Sequence, residues 1–147
     1  MEDTTTPVFG LAFDSPELSD VYYIKLRLIQ GDRLIADNFY CLGKEEGNLR
    51  QLHSLPKVEI DADTSIERNG DEWQAAVRLK NTADVPALMI RLKVYGKKTG
   101  ERILPACYSD NYISLLPGEE KEIIVTFKNE DTRGEKPAVA ISGFNID

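Results

Sequence analysis

The chain has 147 residues, 41% hydrophobic and 29% charged: long enough for one domain with a buried core, and too apolar for wholesale disorder. Its formal charge of −7 excludes a nucleic-acid partner that needs a basic surface to displace counterions, and disfavours an anionic membrane. No apolar run reaches the roughly 18 residues of a membrane span.

Residues 1–20 contain Pro7, Gly10 and Pro16 among Ser, Thr, Asp and Glu, and read as a linker or lead-in from a preceding domain. Residues 1–6 have neither the basic region nor the apolar core of a secretion signal. Val8, Phe9, Leu11 and Phe13 are expected to dock on a domain edge. The domain proper is expected over residues 21–147.

From Val21 a period of two begins: Tyr22, Ile24, Leu26 and Leu28 face one way, Lys25 and Arg27 the other, as in a half-buried strand. Gly31-Asp32 turns the chain, and Leu34 to Leu42 returns as the partner of a hairpin. Residues 43–56 form a crossover with a helical turn around Asn48 to His53. Strand patterns follow at Val58, Ile60, Ala62, Thr64 and Ile66; at Trp73, Ala75, Val77 and Leu79; and at Leu88, Ile90, Leu92 and Val94. Ile123, Val125 and Phe127 alternate with Ile124 and Thr126, so that strand is expected to be covered on both faces. A charged loop, 129–136, precedes a last strand from Ala138 to Ile146. About nine short strands separated by Gly, Pro and Asn turns, with no amphipathic helix, predict an all-β fold: an immunoglobulin-like antiparallel β-sandwich of seven to nine strands.

The stretch Ile103 to Gly118 stands out because Asp110 is its only carboxylate. Ser109-Asp110-Asn111 is a polar knot of residues that bond to nearby backbone and tolerate turns. Two strands are therefore expected to meet at a corner flanked by Tyr108 and Tyr112. Two readings of Tyr108, Ser109, Asp110, Asn111 and Tyr112 stand open. In one, Asp110 and Asn111 satisfy bulge amides while the tyrosines pack; in the other, the loop faces a neighbouring domain or a sugar.

Four segments, in order, resemble the C-terminal immunoglobulin-like domain of family-two glycoside hydrolases of the β-mannosidase and exo-β-glucosaminidase kind. They are Tyr23-Ile24-Lys25-Leu26-Arg27-Leu28 with Ala36-Asp37-Asn38-Phe39-Tyr40; Asn81 with Met89-Ile90-Arg91-Leu92; Ile103-Leu104-Pro105 with Tyr108 to Tyr112 and Leu115-Leu116-Pro117-Gly118-Glu119; and Gly143-Phe144-Asn145-Ile146. Cys41 stands where a larger apolar residue is expected, and Phe144 where Trp is common. The resemblance implies a multidomain parent in carbohydrate metabolism, periplasmic or secreted, with a (β/α)₈ catalytic barrel and this module last. Partners implied are that barrel and the neighbouring domains, with the isolated domain a monomer. The alternatives are an independent carbohydrate-binding module with glycan as partner, or a cell-surface interaction domain. No cofactor is implied.

Retaining glycoside hydrolysis needs two carboxylates about 5–5.5 Å apart on a scaffold that, as a barrel, takes about 250 residues; a chain of this length is read as non-catalytic. Asn129-Glu130 resembles the family's acid/base pair but falls in a charged loop and reads as a solvated turn. Glu59, Asp61 and Asp63 read as the solvent side of a strand, with Ile60 and Ala62 on the core face, rather than a cation site. His53 is the only histidine, and no zinc-ligand spacing occurs. Trp73 is placed on the core face. Cys41 and Cys107 read as two buried thiols in preference to a disulfide.

Overall fold

A computed structural model describes residues 6–13 and 15–147. Residues 1–5 and 14, part of the expected lead-in, lie outside the described residues. The described residues form nine strands in three antiparallel sheets, with two 3-10 turns. They fall into two compact units, divided between Ser54 and Leu55.

In the first unit β1 (Val21–Gln30) pairs with β2 (Arg33–Gly43) as a two-stranded ribbon. Gly31, at φ +60°, makes the turn that an L side chain would resist. A bulge between Leu28 and Ile29 shifts the register near that turn. The ribbon's end is tied down by the 3-10 turn Arg50–Ser54, where Gln51 Oε1 accepts the Val21 amide at 3.0 Å. Phe13 of the lead-in stacks on Tyr22, with centroids 5.0 Å apart, while Val8, Phe9 and Leu11 remain exposed rather than docked. The alternation of β1 is as expected, but its apolar side is not fully covered: Leu26 is 49% and Leu28 62% exposed.

The second unit, Leu55–Asp147, holds the remaining strands. They are β3 (Ile60–Asn69), β4 (Glu72–Asn81), β5 (Ala87–Gly96), β6 (Cys107–Tyr108), β7 (Ile113–Leu115), β8 (Glu120–Lys128) and β9 (Pro137–Ser142). One sheet has the order β3-β4-β8-β6 and the other β7-β5-β9, a four-plus-three division like that of constant-type immunoglobulin domains. Alternate residues of the central strands fill the space between: Ala75, Val77 and Leu79; Ile90, Leu92 and Val94; Ile123, Val125 and Phe127, all essentially buried. Their period-two spacing is what makes one face of each strand a core face. Ile124 and Thr126, on the other side of β8, are half-buried.

Two expected details differ. On β3 only Ile60 and Ile66 are partly buried, while Ala62 and Thr64 are exposed, because β3 is the edge strand of its sheet. The last strand ends at Ser142, and Gly143–Ile146 leaves the sheet, with Ile146 bridging in parallel to Val58.

That departure is anchored by Asn145, 2% exposed. Its Oδ1 accepts the Leu88 amide at 2.9 Å, and Nδ2 donates to the carbonyls of Pro86 (2.9 Å) and Pro56 (3.2 Å). Asn81, fully buried, plays the same part at the far end of β4. Its Nδ2 donates to Val85 and Leu115 carbonyls at 2.9 and 3.0 Å, and its Oδ1 accepts the Ala83 amide at 3.1 Å. Each side chain satisfies backbone groups that no strand reaches.

Candidate functional site

The chain changes sheets between Tyr108 and Ile113. Tyr108 closes β6 opposite Val125 of β8, and Ile113 opens β7 opposite Ile90 of β5. The residues between them are the predicted polar knot, and each has a defined role in the crossing.

Ser109 prolongs the β6–β8 ladder: its amide donates to the Ile124 carbonyl at 2.8 Å, and its Oγ accepts the Ile124 amide at 3.0 Å. Asp110 bends the chain, with Oδ1 accepting the Asn111 amide at 2.8 Å and Oδ2 lying 2.6 Å from Lys121 Nζ. Asn111 turns inward. Its Oδ1 accepts the amides of Leu92 (2.8 Å) and Tyr112 (3.0 Å), while Nδ2 donates to the Leu92 carbonyl at 3.1 Å. One step further along β5, Tyr108 Oη accepts the Val94 amide at 3.2 Å, and the Val94 carbonyl accepts the Ile103 amide at 3.1 Å. The open edge of β5 is thus closed in series by β7 backbone, the Asn111 amide, the Tyr108 hydroxyl and the 101–103 backbone.

The two tyrosines part company. Tyr108 packs against the core. Tyr112 is held at φ 56° and is 58% exposed, with the Arg91 guanidinium 5.8 Å from its ring centroid. Met89, across the register shift on β5, is also at positive φ (52°) and 55% exposed; its amide donates to Ser114 Oγ at 3.2 Å. Phe144, whose amide donates to the Leu88 carbonyl, is 39% exposed. Tyr112 and Met89 are bulky residues at positive φ, an uncommon and strained backbone conformation. The outward Met89 and Phe144 were not singled out as site residues from sequence. Alternation places Met89 off the core, but only the register shift explains its conformation.

A concavity of about 880 Å3 is lined by Lys97, Lys98, Thr99, Arg133, Gly134, Glu135 and Lys136. On its wall the Glu135 carboxylate accepts the Lys98 and Thr99 amides at 3.2 and 3.1 Å. Desolvation works to raise the Glu135 pKa, but the Thr99 and Lys98 hydrogen bonds and the Lys98 charge outweigh it and hold the carboxyl below its ordinary value. Gly96 leaves room for this clasp, since a Cβ there would come within 2.3 Å of the carboxylate.

The other singled-out residues are dispersed. Asn129 Oδ1 accepts the Trp73 indole N–H at 3.0 Å, so this pair joins β4 to a loop, with Trp73 only partly buried. Glu130 begins the 3-10 turn Glu130–Thr132. Asp61 and Asp63 lie opposite Lys80 and Arg78 in the β3–β4 register, a favourable cross-strand arrangement. Among the described residues no three His, Cys, Asp or Glu side chains converge as a metal site. His53 is exposed. The two cysteines are free, but neither is a buried thiol: Cys41 is half-buried and Cys107 exposed. Cys107 takes an outward position because β6 presents Tyr108 to the core instead.

The sheet order, the shared core and the side-chain-closed corner define an immunoglobulin-like β-sandwich domain. The chain belongs to the exo-β-D-glucosaminidase Ig-fold domain family, whose family model matches residues 38–146. An exo-β-D-glucosaminidase of Streptomyces avermitilis is 30% identical over 129 residues, covering 86% of this chain and 14% of that protein. A mannosylglycoprotein endo-β-mannosidase of Lilium longiflorum is 32% identical over 118 residues, 76% of this chain and 11% of that one. The crystal structure of the exo-chitosanase CsxA of Amycolatopsis orientalis superposes with a TM-score of 0.81 at 26% identity, over 89% of this chain and 18% of that chain. The chain therefore spans about one seventh or less of the length of these curated relatives.

Proposed function

We propose that this chain is a non-catalytic accessory domain of a family-two glycoside hydrolase of the exo-β-glucosaminidase or β-mannosidase type, packing against the catalytic part of its parent polypeptide. The observation that carries this reading is the family match over residues 38–146 in relatives several times longer. Retaining hydrolysis in this reading is performed by paired carboxylates elsewhere in the parent, which is exported to the periplasm or the medium. The docking surface on the sandwich is the outward row beside the corner: Tyr112, Arg91, Met89 and Phe144. Tyr108, Ser109, Asp110 and Asn111, engaged with backbone groups and Lys121, hold that row in place without themselves contacting a partner.

A second reading, an independent glycan-binding module, is favoured by one observation: Tyr112 is an exposed aromatic beside a cation. Sugar-binding modules use exposed rings as platforms, but here the guanidinium already lies over the ring. Amide-shift titration of the chain with glucosamine, mannose and their short β-linked oligomers separates the two. The accessory reading predicts flat spectra at millimolar sugar. Saturable shifts centred on Tyr112 and Arg91 would replace it with the glycan-binding reading.

A further inference from the structure

We propose that the face of the β1–β2 ribbon carrying Tyr22, Ile24, Leu26, Leu28, Tyr40 and Leu42 is an interface, and that its occupant is a further apolar β-layer of the parent polypeptide. The inference rests on the accessory-domain reading and extends it to a second surface.

The register creates this face. Tyr22 lies opposite Leu42, Ile24 opposite Tyr40, Leu26 opposite Asn38 and Leu28 opposite Ala36. Directly opposed residues share a side of the sheet, so the apolar members of both strands converge on one side with Asn38 as the only polar member. Leu26, Leu28, Tyr40 and Leu42 are nevertheless 49%, 62%, 43% and 38% exposed. The other side of the ribbon is tied together by its own contacts, the Tyr23–Phe39 stack at 5.6 Å and the Lys25–Asp37 ion pair at 3.5 Å.

A two-stranded ribbon in water is marginal without a covering layer, and a contiguous apolar patch of this kind marks an interaction surface. The sandwich unit has no comparable need. Its own buried cluster draws on strands of both its sheets, from Val58 to Ile146. A second copy would bring together two chains of formal charge −7. The relatives, by contrast, hold most of their length outside the matched region, the match covering 14% of the Streptomyces avermitilis protein. A β-layer from that remainder fits an apolar sheet face in the way sheets stack in sandwiches.

The test is hydrogen exchange by mass spectrometry on this chain alone and on its parent polypeptide, with sedimentation of the chain alone. The expected result is a monomeric chain in which peptides spanning 22–30 and 34–42 exchange fast. In the parent the same peptides slow by about a hundredfold. The double variant Leu26→Asp/Leu28→Asp removes that slowing and leaves exchange in β4, β5 and β8 unchanged. Fast ribbon exchange in the parent overturns the inference. Slow exchange already present in the monomeric chain overturns it too, because the sandwich unit is then the cover. Concentration-dependent slowing with dimer formation overturns it in favour of a second copy. Peptides spanning 108–114 report separately on the accessory reading: if they alone become protected in the parent, that reading survives while the ribbon interface fails. If the ribbon alone becomes protected, corner docking fails and the ribbon interface stands.

Discussion

The side-chain amide of Asn111 serves Leu92 as a neighbouring strand would, accepting its amide hydrogen at 2.8 Å and donating to its carbonyl at 3.1 Å. Leu92 is 1% exposed, so its backbone has little recourse to water. Replacing Asn111 with alanine leaves both groups unpaired and is expected to cost about 2 kcal/mol. Asn111→Asp keeps the acceptor but sets a carboxylate against the Leu92 carbonyl, and should also destabilise. Urea denaturation midpoints at constant slope check both variants. A wild-type midpoint for Asn111→Ala would show that β5 closes its edge without this residue.

Much of the sandwich is written in the period-two spacing of Ala75-Val77-Leu79, Ile90-Leu92-Val94 and Ile123-Val125-Phe127, because a strand with one buried face has few other ways to hide its apolar residues. The corner was legible as a break, since Ser, Asp and Asn compete for backbone hydrogen bonds. That the break carries the chain from one sheet to the other was not, because sheet membership depends on partners distant in sequence. Asn81 and Asn145 gave no local sign of burial; each is buried because its amide finds backbone groups contributed by other segments. Cys107 was expected inside on composition, but the two-residue β6 gives its inward position to Tyr108. Leu26 and Leu28 carry an interior pattern without an interior among the described residues.

Asn81 makes a second test of side-chain closure. Its three bonds join the β4 end, the following loop and β7 through the Leu115 carbonyl. Asn81→Ala removes three hydrogen bonds around a fully buried side chain, with an expected loss of about 3 kcal/mol. Thermal unfolding followed by near-ultraviolet circular dichroism would read it. Exchange of the Ala83 amide should accelerate in the same variant.

Glu135 sets a pH dependence whose sign follows from its lowered pKa. The folded state holds the carboxylate more strongly than the unfolded chain does, so the contribution is fully present above the unfolded pKa. It is lost as pH falls through the folded value. In Glu135→Gln, stability should fall less steeply on acidification than in the wild type, and the Lys98 and Thr99 amides should exchange faster at neutral pH. Parallel acid titrations of the two proteins would contradict this.

The free thiols should differ in reactivity. Burial raises the Cys41 pKa, and the thiolate is the reacting form. Cys107 is exposed. Alkylation by iodoacetamide near neutral pH, mapped by peptide mass spectrometry, should modify Cys107 first. Cys41 labelling should keep rising at pH values above the ordinary thiol range. Faster modification of Cys41 would contradict its half-buried position on β2.

As the proposed accessory domain, this chain would support glycoside hydrolysis in its parent without performing it. Deleting residues 55–147 from the parent polypeptide tests it most directly, with hydrolysis of an aryl β-D-glucosaminide and an aryl β-D-mannoside followed at low temperature and after heating. Turnover at low temperature is expected to stay within about threefold of the intact protein, while inactivation sets in at a lower temperature. A turnover lost by orders of magnitude in a truncated protein that remains folded, or a heat resistance unchanged by the deletion, would contradict it.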